Sequence, residues 1–246
     1  MKPWAALLCA AALAGCASVP TPSEPTAGQK ADPWEGMNRK IYAFNDAVDE
    51  AVVRPVAEAY RDVVPELVRT GFTNVLGNIA DVWSSANHFL QGEFQSGVEM
   101  GFRVITNSFF GLGGLLDPAS EMGLTRRSED FGQTLGRWGV GPGPYVVLPF
   151  LGPSTVRDTL GFVVDRQVSA AQILGEGNGR YAMAALELIN ARTNLLATTR
   201  LLDQIALDRY SFLRDGYLAR RLDQVYNGAQ PLENFDDEFK DEPPAK

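Results

Sequence analysis

The sequence has few of the residues that usually act as nucleophiles or metal ligands. Its 246 residues include two cysteines and one histidine. A Ser-His-Asp triad would have to use His88, which lies in a stretch without a G-x-S-x-G nucleophile elbow. Clusters of His, Cys and carboxylates at metal-ligand spacing are also missing from the sequence. We therefore expect no enzymatic activity, no metal and no other cofactor.

Positive charge is scarce as well. Lys and Arg together number 22 against 30 Asp and Glu, which gives a formal net charge of -8. Binding to nucleic acid requires clustered Lys and Arg, so we expect no nucleic-acid partner. The same acidity argues against docking to anionic lipids through a polybasic patch. If the protein meets a membrane, it does so through apolar contact or an anchor.

Long apolar runs are missing too, which leaves an N-terminal anchor as the membrane signal. After residue 16 no segment reaches 18 uninterrupted apolar residues, so a conventional membrane span is not expected. Residues 1–16, MKPWAALLCAAALAGC, combine a positive start, a short apolar run and a small-residue cleavage region that ends in LAGC. The pattern predicts a lipoprotein signal peptide over residues 1–15 and lipidation of Cys16. A plain signal peptide that happens to contain a cysteine is the alternative.

Cysteine content and the residues after the cleavage site support this prediction. Cys9 leaves with the signal peptide, so Cys16 has no disulfide partner in the mature chain. Ala17 and Ser18 include no aspartate, the residue that commonly retains lipoproteins in the inner membrane. We therefore expect a lipid-anchored protein of the outer membrane that faces the periplasm.

The rest of the chain predicts one all-α domain between two polar ends. Residues 16–31 are rich in Pro, Ser and Thr and predict a disordered tether, and the acidic residues 229–246 predict a disordered tail. Between them, residues 32–228 carry apolar residues at helical spacing. We expect Asp32 to cap a first helix that Arg54-Pro55 ends. Further helices are expected over 68–90, 94–110 and 181–226.

Two stretches of this domain are too apolar for an ordinary water-facing surface. One is the apolar stripe over residues 68–90, which either packs in the core or faces acyl chains at the membrane interface. The other, residues 104–117 with the sequence VITNSFFGLGGLLD, places bulky side chains around three glycines. These side chains either pack in the core or contact acyl chains from a helix at the membrane interface. The candidates for lipid contact are Phe109, Phe110, Leu112, Leu115 and Leu116.

A further unusual stretch, residues 136–154, has the sequence GRWGVGPGPYVVLPFLGPS. Its glycines resemble a phosphate-binding loop, but Pro142 and Pro144 remove the amide donors that such a loop requires, and no Lys-Ser/Thr pair follows. A core hairpin is made implausible by the helical neighbours. The remaining interpretation is an apolar flap, flexible at its glycines and kept out of a sheet by its prolines.

Several blocks together resemble the MlaA/VacJ lipoproteins. They are residues 32–60, 90–97, 103–124 and 129–161, together with the LAGC motif, and the resemblance is close from 32 to 165. It implies a lipoprotein that removes mislocalised phospholipids from the outer leaflet and passes them to a soluble periplasmic carrier. It also implies a ring of helices in the inner leaflet around an amphipathic pore, beside a trimeric porin.

The resemblance further implies a flexible hairpin-like segment near the pore, which residues 138–152 match. The candidate residues for the pore and its gate are Gly139, Gly141, Pro142, Gly143, Tyr145, Phe44 and Asn45. Core packing and helix capping are equally open roles for Phe44 and Asn45. The competing functional class is a structural, porin-associated lipoprotein without transport activity, and a periplasmic hydrolase is the third.

Overall fold

A computed structural model describes residues 26–228 of the chain. The predictions for the signal peptide, for lipidation of Cys16 and for the tail 229–246 lie outside these residues. Helices make up most of the described chain, as the apolar periodicity predicted. The α-helices are α1 Ala27–Ala31, α2 Glu35–Val48, α3 Arg54–Val63, α4 Glu66–Leu90, α5 Phe94–Phe109, α6 Pro118–Glu121, α7 Phe131–Arg137, α8 Val156–Asp165, α9 Ala170–Leu174, α10 Gly179–Ile205 and α11 Arg209–Tyr226.

The first helix lies inside the predicted disordered tether, so that prediction is wrong at its C-terminal end. Thr26 and Gln29 form a reciprocal capping box that satisfies exposed amides at the start of α1. Gly28 lies so close to α11 that a Cβ atom would meet the Asp215 carboxylate. The ordered domain therefore begins several residues earlier than the composition indicated.

The second helix differs from the prediction at both ends. It begins at Glu35, because the Asp32 side chain is buried and accepts hydrogen bonds from Asn38 and Tyr210 instead of capping the helix. Pro55 does not end it. A π-helical turn, Asp49–Val53, leads directly into α3, where Pro55 stands in the first turn and its missing N–H has no effect on the helix.

Two short strands, β1 Tyr145–Leu148 and β2 Gly152–Thr155, pair as an antiparallel hairpin. The register opposes Tyr145 to Thr155 and Leu148 to Gly152. The prediction that the prolines keep this segment out of a sheet is therefore wrong. Pro153 stands in a two-stranded sheet, in which every strand is an edge and a missing amide donor is tolerated.

The hairpin also supplies part of an apolar core. Tyr145 and Val147 point inward from β1 and pack with Tyr210 of α11, while residues of α2 and α11 surround them. The Tyr145 ring meets the rings of Tyr210 and Tyr217 edge-on, with centroid distances of 6.3 and 6.2 Å. The hairpin thus joins α2 to α11.

Within residues 26–228, no helix is both long enough and apolar enough to cross a membrane. The two longest helices, α4 and α10, are interrupted by polar residues along their length.

Candidate functional site

Helix α5 turns its apolar side chains outward. An outer stripe, spaced four, four, three and four residues apart, follows one face of the helix, and each member is about half exposed or more. The stripe consists of Phe94, Val98, Phe102, Ile105 and Phe109. The opposite face is buried and contains Ser96, Arg103, Thr106 and Asn107. This is the reverse of an ordinary amphipathic helix in a water-soluble protein.

Helix α4, which packs antiparallel to α5, is inverted in the same way. Its buried face is polar and small, and the apolar stripe predicted over 68–90 is exposed or half-buried. The buried residues are Gly71, Asn78, Asp81, Ser84, Asn87 and His88. The helix itself was predicted correctly, and of the two roles that the sequence left open for its apolar stripe, core packing does not fit the exposed or half-buried side chains.

Ion pairs and hydrogen bonds satisfy this polar interior. The fully buried Arg103 guanidinium donates to both carboxylate oxygens of Asp117 at 2.9 and 3.0 Å. Its Nε lies 3.5 Å from Asp81, whose other ion-pair partner is Arg126 at 3.0 Å. Removing one partner from such a network would leave a buried charge uncompensated, so these residues fix the packing of α4 on α5.

All five residues predicted to contact lipid are exposed, with Phe109 at 80% and Phe110 at 76%. Core packing is therefore not their role in this structure. Leu112 has φ +54°, next to two glycines with positive φ, so the glycines form a tight turn that holds the bulky side chains outward. Lipid contact by these residues stays a prediction.

Among the charged residues 126–130, Arg127 is exposed whereas Glu129 is buried. Glu129 accepts a hydrogen bond from Gln91 at 2.9 Å and lies beside Asp130 and Glu93. Burial raises the pKa of its carboxyl from the usual 4.5 to about 7, and the two neighbouring carboxylates add to this rise.

We expect Glu129→Gln to stabilise the protein at pH 8 and to have little effect near pH 4.5. The folded state holds a proton on Glu129 that the unfolded state has already released, so stability falls as pH rises from about 4.5 to 7. The loss is up to about 3 kcal/mol. Thermal unfolding in detergent at both pH values measures the difference, with the exposed Glu50→Gln as control. Parallel pH profiles for wild type and variant would show this expectation to be wrong.

His88 has a structural role in the protein interior, where each ring nitrogen lies close to a polar partner. It is buried, with Nδ1 3.1 Å from Glu93 and Nε2 3.1 Å from the carbonyl oxygen of Arg127. Among residues 26–228, no group of three or more His, Cys, Asp or Glu side chains could hold a metal ion.

Two asparagines of α2 hold the hairpin by its backbone. Asn38 donates to the carbonyl of Tyr145 at 3.1 Å and accepts from the amide of Val147 at 2.9 Å. Asn45 repeats the pattern with the carbonyl of Leu148 at 2.9 Å and the amide of Phe150 at 2.8 Å. Each carboxamide thus replaces the paired backbone of a neighbouring strand. We call this pair the carboxamide clamp.

The spacing of the clamp follows from helix and strand geometry. Seven helical residues separate the two asparagines, which places them on one face about 10 Å apart. Their first contacts on the hairpin, Tyr145 and Leu148, are three extended residues apart, which is also about 10 Å. The two halves differ in burial: Asn38 is fully buried, whereas Asn45 lies near the surface.

The half of the clamp near the surface holds a strained tip, which comprises residues 149–151. Phe150 has φ +64°, a conformation that bulky residues rarely adopt and that costs on the order of 1–3 kcal/mol. The hydrogen bond from its amide to Asn45 and an edge-on contact with Phe44, at a centroid distance of 5.3 Å, hold it there. Breaking these contacts would let the tip relax.

The structure places four of the seven predicted gate residues at two cavities and Tyr145 in the core, whereas Phe44 and Gly143 are exposed and line neither cavity. Asn45 lines a cavity of about 420 Å³, the tip cavity, between α2, α10 and α11, together with the tip residues Phe150 and Leu151. We call residues 139–144, which precede β1, the arm. Gly139, Gly141 and Pro142 of the arm line a second cavity of about 410 Å³, the arm cavity, against α1 and α11. Tyr145 is 1% exposed and belongs to the core, so its place among the gate candidates is not supported by the geometry.

The glycines of the arm differ in which substitutions their backbone conformation and surroundings allow. Gly139 and Gly143 have φ +91° and +65°, which proline cannot adopt because its ring fixes φ near -65°. A Cβ on Gly143 would also lie 3.2 Å from Val156, whereas Gly141 faces open space and lacks a positive φ. Gly141 is therefore the arm glycine at which neither a positive φ nor a close contact of an added Cβ opposes a substitution.

Three residues of the site were not singled out from the sequence. Asn38 had no signal, because its partners on the hairpin lie 107 and 109 residues away. Asp49 and Arg192, which form a close ion pair at the wall of the tip cavity, are separated by 143 residues. Nothing in their local patterns predicts these contacts.

Comparison with known proteins agrees with this geometry. The profile of a family described as MlaA lipoprotein matches residues 30–224. The chain is 38% identical to the Escherichia coli K12 protein named intermembrane phospholipid transport system lipoprotein MlaA, over 93% of each chain. It is 32% identical to the Haemophilus influenzae protein of the same name, over 91% of this chain and 90% of that one. A solved structure described as "Structural basis for maintenance of bacterial outer membrane lipid asymmetry" matches with TM-score 0.69 and 35% identity, over 79% of this chain and 98% of that one.

Proposed function

Because the chain belongs to the MlaA lipoprotein family, we propose that it is the outer-membrane lipoprotein of an intermembrane phospholipid transport system. In this role it removes mislocalised phospholipids from the outer leaflet and maintains the lipid asymmetry of the outer membrane. The proposal rests on one observation: the outward face of α5 is apolar, whereas its buried face is polar and ion-paired. Such an arrangement suits a protein whose outer solvent is lipid and whose inside gives passage to headgroups.

The membrane placement combines two contacts. Lipidation at Cys16 would anchor the chain in the inner leaflet, and the exposed bulky residues from 94 to 116 would embed the helices among acyl chains. We propose that the helices form a ring there, lying within one leaflet around an amphipathic pore. This arrangement requires no membrane-spanning helix, which is compatible with the helices of residues 26–228.

The hairpin is proposed to control passage through the pore. Its tip lies at the edge of the tip cavity. A hydrogen bond to Asn45 and a ring contact with Phe44 hold Phe150 in its strained conformation. Transport of this kind makes and breaks no covalent bond, so we assign no catalytic residue. A soluble periplasmic carrier would receive the lipid, and a trimeric porin would hold the protein in place.

We expect Gly141→Pro to preserve folding and lipidation but to change the amount of phospholipid on the cell surface. Proline stiffens the arm at a position where added atoms meet open space, so the effect falls on hairpin movement. Gly141→Ala is the matched control, because alanine adds a Cβ without fixing φ. Surface phospholipid would be measured on intact cells that express each variant. The same level in Gly141→Pro and wild type would contradict a moving arm.

Deletion of the gene separates transport from the structural alternative, a porin-associated lipoprotein that only stiffens the envelope. A transport defect leaves phospholipid in the outer leaflet and sensitises the cells to detergent with chelator. We expect both changes, and we expect the wild-type gene to reverse them. Cells with normal surface phospholipid after deletion would favour the structural role.

A further inference from the structure

The tip cavity has a mainly apolar lining that also includes charged residues. Leu188, Leu195 and Leu202 of α10, which recur every seven residues, line it together with the tip residues Phe150 and Leu151. Arg54, Arg192 and Arg209 are also among its lining residues. The cavity volume of about 420 Å³ falls within the range of roughly 300–1,000 Å³ for ligand sites. An amphipathic molecule with an anionic group would match both kinds of lining residue.

The charged side chains of this cavity lie among mainly apolar lining residues. Apolar walls strengthen the attraction between the guanidinium groups and an anion, because they lower the local dielectric constant.

The ion pair at its centre has the geometry that Arg also uses to hold phosphate. Arg192 donates from Nε and from a terminal nitrogen to the two oxygens of Asp49, both at 2.7 Å. Two parallel hydrogen bonds of this kind fit a phosphate group as well as they fit a carboxylate.

Arg54 supplies a further donor beside the pair. Its Nε lies 3.5 Å from Asp49, is buried, and has no hydrogen-bond partner within residues 26–228. A buried donor without a partner is unusual and marks a place where an incoming acceptor would be stabilised.

We propose that the phosphate group of a phospholipid headgroup binds Arg192 in the tip cavity by displacing the carboxylate of Asp49. The acyl chains then lie along the leucines of α10, and Arg54 donates to a phosphate oxygen. Asp49 acts as a placeholder anion that keeps the guanidinium compensated while the cavity holds no lipid. This inference rests on the proposed function, because that function brings phospholipids to the cavity.

The position of Asp49 connects the site to the hairpin. It begins the π-helical turn, a feature frequent at functional sites, and stands one helical turn after Asn45. Its backbone amide donates to the carbonyl of Asn45. A headgroup that displaces Asp49 therefore acts on the segment of α2 that holds the tip.

The test measures binding directly on the purified, lipidated full-length protein in maltoside detergent. The probes are dihexanoylphosphatidylglycerol, which carries a phosphodiester and short acyl chains, and inorganic phosphate, which shares the anion alone. Titration calorimetry would compare wild type, Asp49→Asn and the double variant Asp49→Asn/Arg192→Gln. The double variant removes one negative and one positive charge, so the net charge at the site is unchanged and the variant is expected to fold. Arg200→Gln, on the same helix and exposed, is the control.

We expect the lipid probe to bind the double variant roughly tenfold or more weakly and Asp49→Asn more tightly, since the competing carboxylate is gone. Arg200→Gln should match wild type. Equal affinities in all variants would reduce the ion pair to a structural contact and overturn the proposal. Inorganic phosphate that binds as tightly as the lipid would assign the site to free phosphate, and would also overturn it.

The results distinguish a failure of the proposed binding site from a failure of the proposed function. Lipid binding as expected, in a protein whose deletion leaves surface phospholipid unchanged, would contradict the transport role and keep the site. A normal transport role with lipid binding that ignores Asp49 and Arg192 would contradict the site alone.

Discussion

Asn45→Ala is expected to raise the amount of phospholipid on the cell surface while leaving the protein folded. The substitution removes two hydrogen bonds to the hairpin, at Leu148 and Phe150, and lets the strained Phe150 relax. Because Asn45 is only half-buried, the released backbone groups can bond to water, and the loss of stability should be about 1–2 kcal/mol. The other half of the clamp, Asn38, still holds β1.

The direction of the effect follows from the proposed pore. Without a tip to close it, an opening between leaflets lets phospholipid move down its gradient, from the phospholipid-rich inner leaflet to the outer one. Surface phospholipid in a deletion strain that carries Asn45→Ala should therefore exceed both the level restored by the wild-type gene and the level in the deletion strain itself, which loss of transport alone would explain. Surface labelling of intact cells measures this level.

Asn38→Ala is the matched contrast to Asn45→Ala. It removes the same kind of paired contact from a fully buried position, where water cannot take over the lost hydrogen bonds. The backbone carbonyl of Tyr145 and the amide of Val147 lose their bonds to Asn38, and Asp32 loses one of its donors. We expect a loss of about 3 kcal/mol or more, visible as lower thermal stability and lower protein level. If Asn45→Ala lost stability to the same degree, or left surface phospholipid at the wild-type level, the gating role of the tip would be contradicted.

Phe102→Asp is expected to weaken insertion into phospholipid vesicles by about a hundredfold or more. The side chain is 57% exposed at the centre of the outer stripe, so it contributes little to the protein core. A carboxylate at the depth of acyl chains costs on the order of 3 kcal/mol, and the apolar contact of the ring is lost in addition. The loss should appear in membrane affinity and leave folding intact.

Vesicle flotation measures this affinity once the lipid anchor is removed by Cys16→Ser. Phe102→Leu in the same background is the control, because leucine keeps the surface apolar. Comparable flotation of Phe102→Asp and Phe102→Leu would mean that the outer stripe does not face lipid. That result would favour a soluble partner protein that covers the stripe.

Sequence periodicity predicted the bounds of the helices more accurately than it predicted which of their faces are buried. The prediction for α5, residues 94–110, differs from the structure by one residue. For α4 the sequence left two roles open for the apolar stripe over 68–90, core packing and membrane contact, and the structure leaves that stripe exposed or half-buried. Periodicity alone cannot distinguish the two roles, because an apolar face points inward when the solvent is water and outward when it is lipid.

The hairpin had a local signal that the surrounding prolines obscured. Burial in β1 alternates along YVVL with a period of two, as expected for a strand with one buried face. The contacts that position it, from Asn38 and Asn45, join segments more than 100 residues apart. Local patterns carry no information about such pairings, so the clamp could be found only in the folded chain.

Transfer of phospholipid out of a membrane tests the account most directly. The purified, lipidated protein would be reconstituted into vesicles that contain fluorescent phospholipid, with the soluble periplasmic carrier as acceptor and no nucleotide. We expect the wild-type protein to accelerate the appearance of fluorescence on the carrier, and Phe102→Asp to abolish the acceleration. Equal transfer from vesicles with and without the protein would contradict its role as the membrane component of phospholipid transport.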